Sequence, residues 1–211
     1  MIENKRKQVD LIIKMLTNAL DFFTEEVEFE FYNPILIKSG IDKFDNNKIY
    51  LDTSCIEGLN NILNGEHITY NKRPSRANMQ PITNSIWFAK MKGSNKILLL
   101  TNKDKDIIDN CILSTGYQGL KETSNLPISL LTAIIISDKF RIQRDLNSVG
   151  TTMLGINNET FLKIKVPKLA KPEIKQFNEK YLYFVNKLSL YRREINSLQI
   201  IKNNLINKYF Q

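Results

Sequence analysis

Apolar residues recur at Val9, Ile13, Leu16, Leu20 and Phe23, in steps of four and three, across residues 4–23. That spacing puts them on one face and predicts an amphipathic helix at the start of the chain. The period then drops to two. Val27, Phe29 and Phe31 alternate with glutamates, the pattern of a strand with one buried face. Asn33-Pro34 punctuates, residues 35–37 predict a short strand, and Ser39-Gly40 and Asp45-Asn46-Asn47 predict turns before a strand at residues 48–51. Residues 85–89 and 97–100 read as buried strands joined through Gly93-Ser94-Asn95. Residues 111–113 and 117–120 flank Ser114-Thr115-Gly116 in the same manner, with Tyr117 and Gln118 expected as an exposed pair on a β-turn. Pro127 opens one clear internal helix, predicted over residues 126–141 from Ile128, Leu131, Ile135 and Phe140. A strand over residues 161–166 is stopped by Pro167 and Pro172.

After Pro172 the chain holds neither glycine nor proline. Phe177, Tyr181, Phe184, Leu188, Tyr191, Ile195, Leu198, Lys202, Leu205 and Tyr209 step by four and three without a break. A repeat of about 3.5 residues sustained this far is a coiled-coil seam. At 1.5 Å per residue the helix runs roughly 58 Å, longer than the preceding domain covers, and the pattern predicts a partner helix. The fold class expected is a mixed α/β (α+β) domain of short strands and helices followed by a long C-terminal coiled-coil helix. The divisions fall at residues 1–25 for the first helix, 26–170 for the domain and 171–211 for the long helix.

Composition narrows the class. With 42% apolar and 25% charged residues, the 211-residue chain has the make-up of a globular protein and not of a disordered one. No apolar run approaches the roughly 20 residues that span a bilayer, so no membrane role is expected. The opening MIENKRKQVD lacks the apolar core of a signal peptide and reads as a helix start. Cys55 and Cys111 form no CxxC, and His67 is the only histidine, so no zinc site of ordinary spacing can be written. Two isolated thiols fit a reducing, cytoplasmic setting.

Charge is localised. From residue 67 to 103 there are seven lysines and arginines, Lys72, Arg73, Arg76, Lys90, Lys92, Lys96 and Lys103, and no carboxylate, against +8 for the whole chain. A second basic block lies at residues 160–193. Basic residues interleaved with Tyr70 and with hydrogen-bonding side chains suit a polyanion, because phosphate contact releases counterions. In Lys72-Arg73-Pro74-Ser75-Arg76-Ala77-Asn78 the proline restrains a loop that presents two guanidinium forks, able to meet phosphates or guanine. Asn78 is of a type that reads adenine, and Lys90, Lys92 and Lys96 extend the surface. Trp87 and Phe88 fall inside a buried strand and read as core.

Catalytic patterns are missing. There is no GxxxxGK[ST], no glycine-rich dinucleotide turn, and only Asn33-Pro34-Ile35-Leu36 where an adenine methyltransferase carries Asn/Asp-Pro-Pro-aromatic. His67 has no nucleophile motif near it. The catalytic residue set is empty, and so is the metal set.

The ordered segments Lys48-Ile49-Tyr50-Leu51-Asp52-Thr53, Arg73-Pro74-Ser75-Arg76-Ala77, Ile86-Trp87-Phe88-Ala89-Lys90-Met91 and Ser114-Thr115-Gly116-Tyr117 resemble those of the specificity (S) subunit of type I restriction-modification systems. Gly150-Thr151-Thr152-Met153 with Ile156-Asn157, and Ile164-Lys165-Val166-Pro167 before the long helix, continue the likeness over residues 35–211. The resemblance implies a target recognition domain at residues 26–170 that binds double-stranded DNA without catalysing anything. It implies a helix that pairs with another of its kind and docks the methyltransferase (M) subunit. S-adenosylmethionine, ATP and Mg then belong to the M and restriction (R) subunits, and none is expected in this chain. One recognition domain and one helix imply a half subunit that homodimerises to read a bipartite site in phage defence and DNA methylation. DNA contacts are expected at Lys72, Arg73, Ser75, Arg76, Asn78, Lys90, Lys92, Lys96, Tyr117 and Gln118. Dimer contacts are expected at Phe177, Tyr181, Phe184, Leu188, Tyr191, Ile195, Leu198 and Leu205. Two departures stand out: Val166-Pro167-Lys168-Leu169-Ala170-Lys171-Pro172 replaces the family's Pro-Leu-Pro-Pro-Leu stretch, and the first helix precedes the usual start of a recognition domain. Two alternatives stay open, a stand-alone DNA-modifying enzyme and a coiled-coil nucleic-acid-binding protein unrelated to restriction.

Overall fold

The computed structural model describes residues 1–151 and 154–210; Thr152 and Met153 of the quoted motif, and Gln211, lie outside the described residues. Helix α1 (Ile2–Leu20) is followed by strands β1 (Glu26–Glu28), β2 (Ile35–Leu36), β3 (Lys48–Leu51), β4 (Ile56–Leu59), β5 (Asn61–Ile62), β6 (Glu66–Ile68), β7 (Ala77–Met79), β8 (Ser85–Ala89) and β9 (Lys96–Leu100). Then come α2 (Lys105–Asn110), β10 (Cys111–Ser114), β11 (Tyr117–Lys121), α3 (Ile128–Ile136), α4 (Asp138–Leu146), α5 (Asn158–Leu162), β12 (Lys165–Pro167) and α6 (Lys171–Phe210). The strands form a six-stranded sheet in the order β2-β11-β8-β9-β4-β5, a four-stranded sheet β6-β3-β10-β7 and the pair β1-β12.

Strand alternation builds the layers. In β8, Ile86 and Phe88 face a helical layer that contains Leu16 and Leu20 of α1, Leu131 and Ile135 of α3, and Phe177 and Val185 of α6. Trp87 and Ala89 point the other way, into a second core with Leu51, Met79, Leu113 and Tyr117 between the two sheets. A strand buried on both faces needs a continuous apolar run, and Ser85-Ile86-Trp87-Phe88-Ala89 is nearly that. Gly119 stands directly opposite Trp87 in the β11–β8 register. A Cβ there would lie 2.4 Å from the indole, so the ring can close over β11 only because residue 119 has no side chain.

Several expectations need correcting. The first helix covers Ile2–Leu20 and not residues 4–23; Asp21 closes it, and its Ile12, Leu16, Ala19 and Leu20 belong to the helix-side core. Only Glu26–Glu28 is strand in the following segment, because residues 29–32 wind into a 3-10 turn. A period near three buries Phe29 and Tyr32 and leaves Phe31 exposed. Tyr32 is fixed there by its hydroxyl, which donates to Pro167 O at 2.7 Å and accepts from Leu169 N–H at 2.8 Å. The single helix expected over residues 126–141 is two, broken at Ser137, whose Oγ accepts the Phe140 N–H and caps α4. Residues 158–162 are helical, started by a reciprocal Asn157–Thr160 capping box, so the strand expected over residues 161–166 is instead Lys165–Pro167 and includes the proline expected to stop it.

The long helix is present, about 60 Å by its 40 residues. Its seam is divided between two environments. Phe177, Tyr181 and Leu188 are buried in their own domain, and Phe184 and Tyr191 pack against that core, so this half needs no partner helix. Arg192 then reaches Asp104 at 2.7 Å and Asp106 at 3.2 Å, Arg193 donates to Lys103 O at 3.2 Å, and Lys5 of α1 meets Glu194 at 2.6 Å. Ile195 and Leu198 are half-buried, and beyond them Leu205 and Tyr209 are exposed with Ile201. Among the described residues no helix is long and apolar enough to cross a membrane.

Candidate nucleic-acid interface

Pairing registers bring distant basic residues to one end of the six-stranded sheet. Antiparallel β8 and β9 put Lys90, Lys92 and Lys96 on the connection at that end. Because β11 runs antiparallel to β8 with Tyr117 opposite Ala89, the turn 114–116 lies there too. Strand β7 enters from the second sheet with Ala77 opposite Ser114, which delivers Ser75 and Arg76 to the same place. The junction is tied by backbone bonds: Thr115 N–H donates to Arg76 O and Lys90 N–H to Gly116 O, both at 2.9 Å. The Arg76 guanidinium lies over Gly116, where a Cβ would approach Nη2 to 2.8 Å. Glycine at 116 leaves the space for that fork.

Arg73 sits farther along the same loop. Its guanidinium stacks 4.0 Å from the Tyr70 ring centroid and donates to Tyr70 O, while Tyr70 meets Phe44 edge-on. A stacked arginine has fewer rotamers to lose on meeting a phosphate. Lys72 and Ser75 are exposed beside it, and Asn78 is half-buried in β7. Of the residues expected at the surface, Tyr117 and Gln118 are not there: they are 0% and 3% exposed. Residue 117 begins strand β11 and is not part of the turn, and the Tyr117 hydroxyl donates to Asp52 O at 2.9 Å inside the fold. Burial sends the Tyr117 hydroxyl far above its ordinary pKa, so it stays protonated as that bond requires.

Two supports of the site carry no sequence signal. Arg144 is buried at the end of α4, donates to Asp145 Oδ1 through Nε and Nη2 at 2.9 and 2.8 Å, and reaches Ala89 O at 3.5 Å. The same Asp145 oxygen accepts the Gly93 N–H at 3.1 Å and so steadies the 90–95 connection. Lys90 is half-buried. Desolvation, and next to it the Arg76 charge, hold its ammonium pKa below the ordinary 10.5.

That shift sets a prediction. A lysine with a lowered folded-state pKa contributes full stability above its unfolded pKa and loses it as pH falls through the folded one. At neutral pH the charged Lys90 therefore strains the free protein. Lys90→Met should raise the neutral-pH Tm, and the gain should vanish as pH climbs past 10.5. If Lys90 holds a phosphate, the same change should lower the slope of log affinity against log salt by about 0.9. Melting curves across pH and salt titrations of DNA binding check both.

Among the described residues no three of His, Cys, Asp and Glu gather to hold a metal ion. His67 is exposed on the edge strand β6. No protein-family model matches the sequence, and no curated protein matches it. Solved structures do. One is a chain from a structure of complex assembly and conformational transition of the type I R-M system, at 20% identity and a TM-score of 0.56. The alignment covers 87% of this chain and 46% of that one. The HsdS subunit from Thermoanaerobacter tengcongensis aligns at 16% identity and a TM-score of 0.53, again over 87% and 46% of the two chains. The chain thus spans about half the length of each. The likeness is one of fold: a mixed α+β domain of short strands that leads into a long C-terminal helix, as in type I S subunits.

Proposed function

We propose that this chain is a non-catalytic, sequence-reading DNA-binding unit of a type I restriction-modification system. The observation that carries the reading is the convergence of Ser75, Arg76, Lys90, Lys92 and Lys96 at one end of a sheet whose fold is shared with S subunits. Lysines at such a surface position the protein on phosphates, and a guanidinium held over Gly116 is free to fork onto a base edge. Methyl transfer from S-adenosylmethionine and Mg- and ATP-dependent cleavage would belong to M and R subunits that this chain directs to its site.

Arg76→Ala is expected to weaken binding by about 1–3 kcal/mol and to relax the base preference at one position. The measurement is fluorescence anisotropy at several salt concentrations, on a duplex that the unaltered chain selects from a randomised library. Unchanged affinity and an unchanged salt slope for Arg76→Ala would remove this residue from the interface.

The distal part of α6 supports a second element of the proposal. Leu198, Ile201, Leu205 and Tyr209 lie on one helical stripe outside the domain. An uncovered helix end with an apolar stripe is marginal in water until another helix covers it. A second copy would do so, and two-fold pairing would present two equivalent DNA-reading ends to a bipartite site. Sedimentation equilibrium should show a dimer that Leu205→Glu converts to monomer while the Tm of the domain stays within a few degrees. A chain that is monomeric at high micromolar concentration would sink the pairing.

A further inference from the structure

Beside Lys92 the proposed phosphate contacts leave an apolar surface unused. Residues 90–92 run antiparallel to residues 154–156: Met91 bridges Gly155, Lys92 N–H donates to Leu154 O at 2.9 Å, and Ile156 N–H donates to Lys90 O at 3.0 Å. On the other side of Gly155, Val149 exchanges two backbone hydrogen bonds with it, at 2.9 and 3.0 Å. Directly paired residues of a ribbon share a face, so Met91 and Val149 project to the same side with only a glycine between them. Met91 is 52% exposed and Val149 47%, and Leu146, at the end of α4, is 73% exposed. The turn that follows Lys92 is tied down, since Asp145 holds the Gly93 N–H and is itself held by buried Arg144. Exposed apolar side chains gathered on one face mark a contact surface.

Charge selects the occupant. Lys90 and Lys92 lie on the opposite face of the same ribbon, Arg76 is close enough to Lys90 to depress its pKa, and the neighbouring carboxylate, Asp145, is neutralised by Arg144. A ribbon that is apolar on one face and basic on the other matches a duplex, where stacked bases lie between two rows of phosphates. Methionine and other aliphatic side chains are the residue types that open base steps.

We infer that Met91 and Val149 form an apolar wedge that enters a base step of duplex DNA while Lys90 and Lys92 hold the adjoining phosphates. The inference rests on the DNA-binding reading above. Its consequence is selectivity for a deformable step, such as a pyrimidine–purine step, without any hydrogen bond to that step.

The test uses the full chain and a duplex it selects from a randomised library, with 2-aminopurine placed at successive positions. Binding by the unaltered chain should raise fluorescence at one step, where the base leaves the stack. Met91→Ser combined with Val149→Ser should abolish the rise and weaken binding about tenfold, with the salt slope unchanged because both lysines remain. Met91→Leu should keep the signal. A chain that binds with a normal salt slope but unstacks no position overturns the wedge and leaves the DNA-binding reading in place. A chain that retains no duplex at all overturns both. Serine variants that bind and unstack DNA normally but lose a co-purifying methyltransferase subunit overturn the wedge in favour of a protein contact.

Discussion

Arg192→Ala is expected to lower the unfolding free energy by about 3–5 kcal/mol, the range for breaking a buried ion pair from one side. Asp104 is fully buried, and only one of its oxygens is satisfied without Arg192, by the Thr101 N–H at 2.7 Å and the Thr101 hydroxyl at 2.9 Å. Removing the guanidinium leaves Oδ1 charged, desolvated and unpartnered. Exposed Asp106 can recover water; Asp104 cannot. Urea denaturation of the variant measures the loss. Arg192→Met combined with Asp104→Asn should recover part of it, because the charge is then removed along with its partner. Equal stability of Arg192→Ala and the parent would mean that the pair does not form in solution.

A loss of about 3 kcal/mol is expected for Gly119→Ala, at the upper end of overpacking penalties. The added methyl would sit 2.4 and 2.5 Å from two indole carbons of Trp87. The ring cannot retreat easily, for it is fully buried and its Nε1–H donates to Ser85 Oγ at 2.9 Å. Trp87 lies between the two sheets, so displacing it also disturbs the β8–β11 register that sets the turn 114–116 beside Arg76. Thermal melts and DNA titrations of Gly119→Ala should therefore deteriorate together. Intact DNA binding in a protein destabilised this much would uncouple that register from the interface.

The strands predicted at residues 85–89, 97–100 and 111–113 were legible in the sequence, each to within a residue of its observed bounds, because each is a short apolar run bounded by turn residues. So was the long helix, since ten positions kept one period. Local pattern failed where a distant partner decides. Phe29 and Phe31 alternate as a strand would, yet the hydroxyl of Tyr32 and its partners near residue 167 select a 3-10 turn. Ser137 follows Ile134-Ile135-Ile136 without breaking the helical spacing on to Phe140, but its side chain caps the next helix. The seam of α6 shows which residues share a face and nothing about what covers that face: α1 and α3 take the first half.

The basic window was visible as composition. That Arg76 rests on Gly116 and neighbours Lys90 required the β7–β10 and β8–β11 registers, which join residues far apart in sequence. Tyr117 and Gln118 looked like a turn because Gly116 precedes them, whereas the turn had already ended.

The contact of α1 with α6, together with the pairing of β1 with β12, has a consequence for synthesis. Helix α1, synthesised before α6, lays Leu16 and Leu20 against a core that also contains Phe177, Val185 and Leu188. Until those residues emerge, the helical face of the six-stranded sheet lacks its cover. The domain therefore cannot close strand by strand, and Ile86, Phe88 and Leu99 stay without their helical cover until residues 177–188 have been made. Fragments that stop before residue 188 are therefore expected to aggregate or to be held by chaperones.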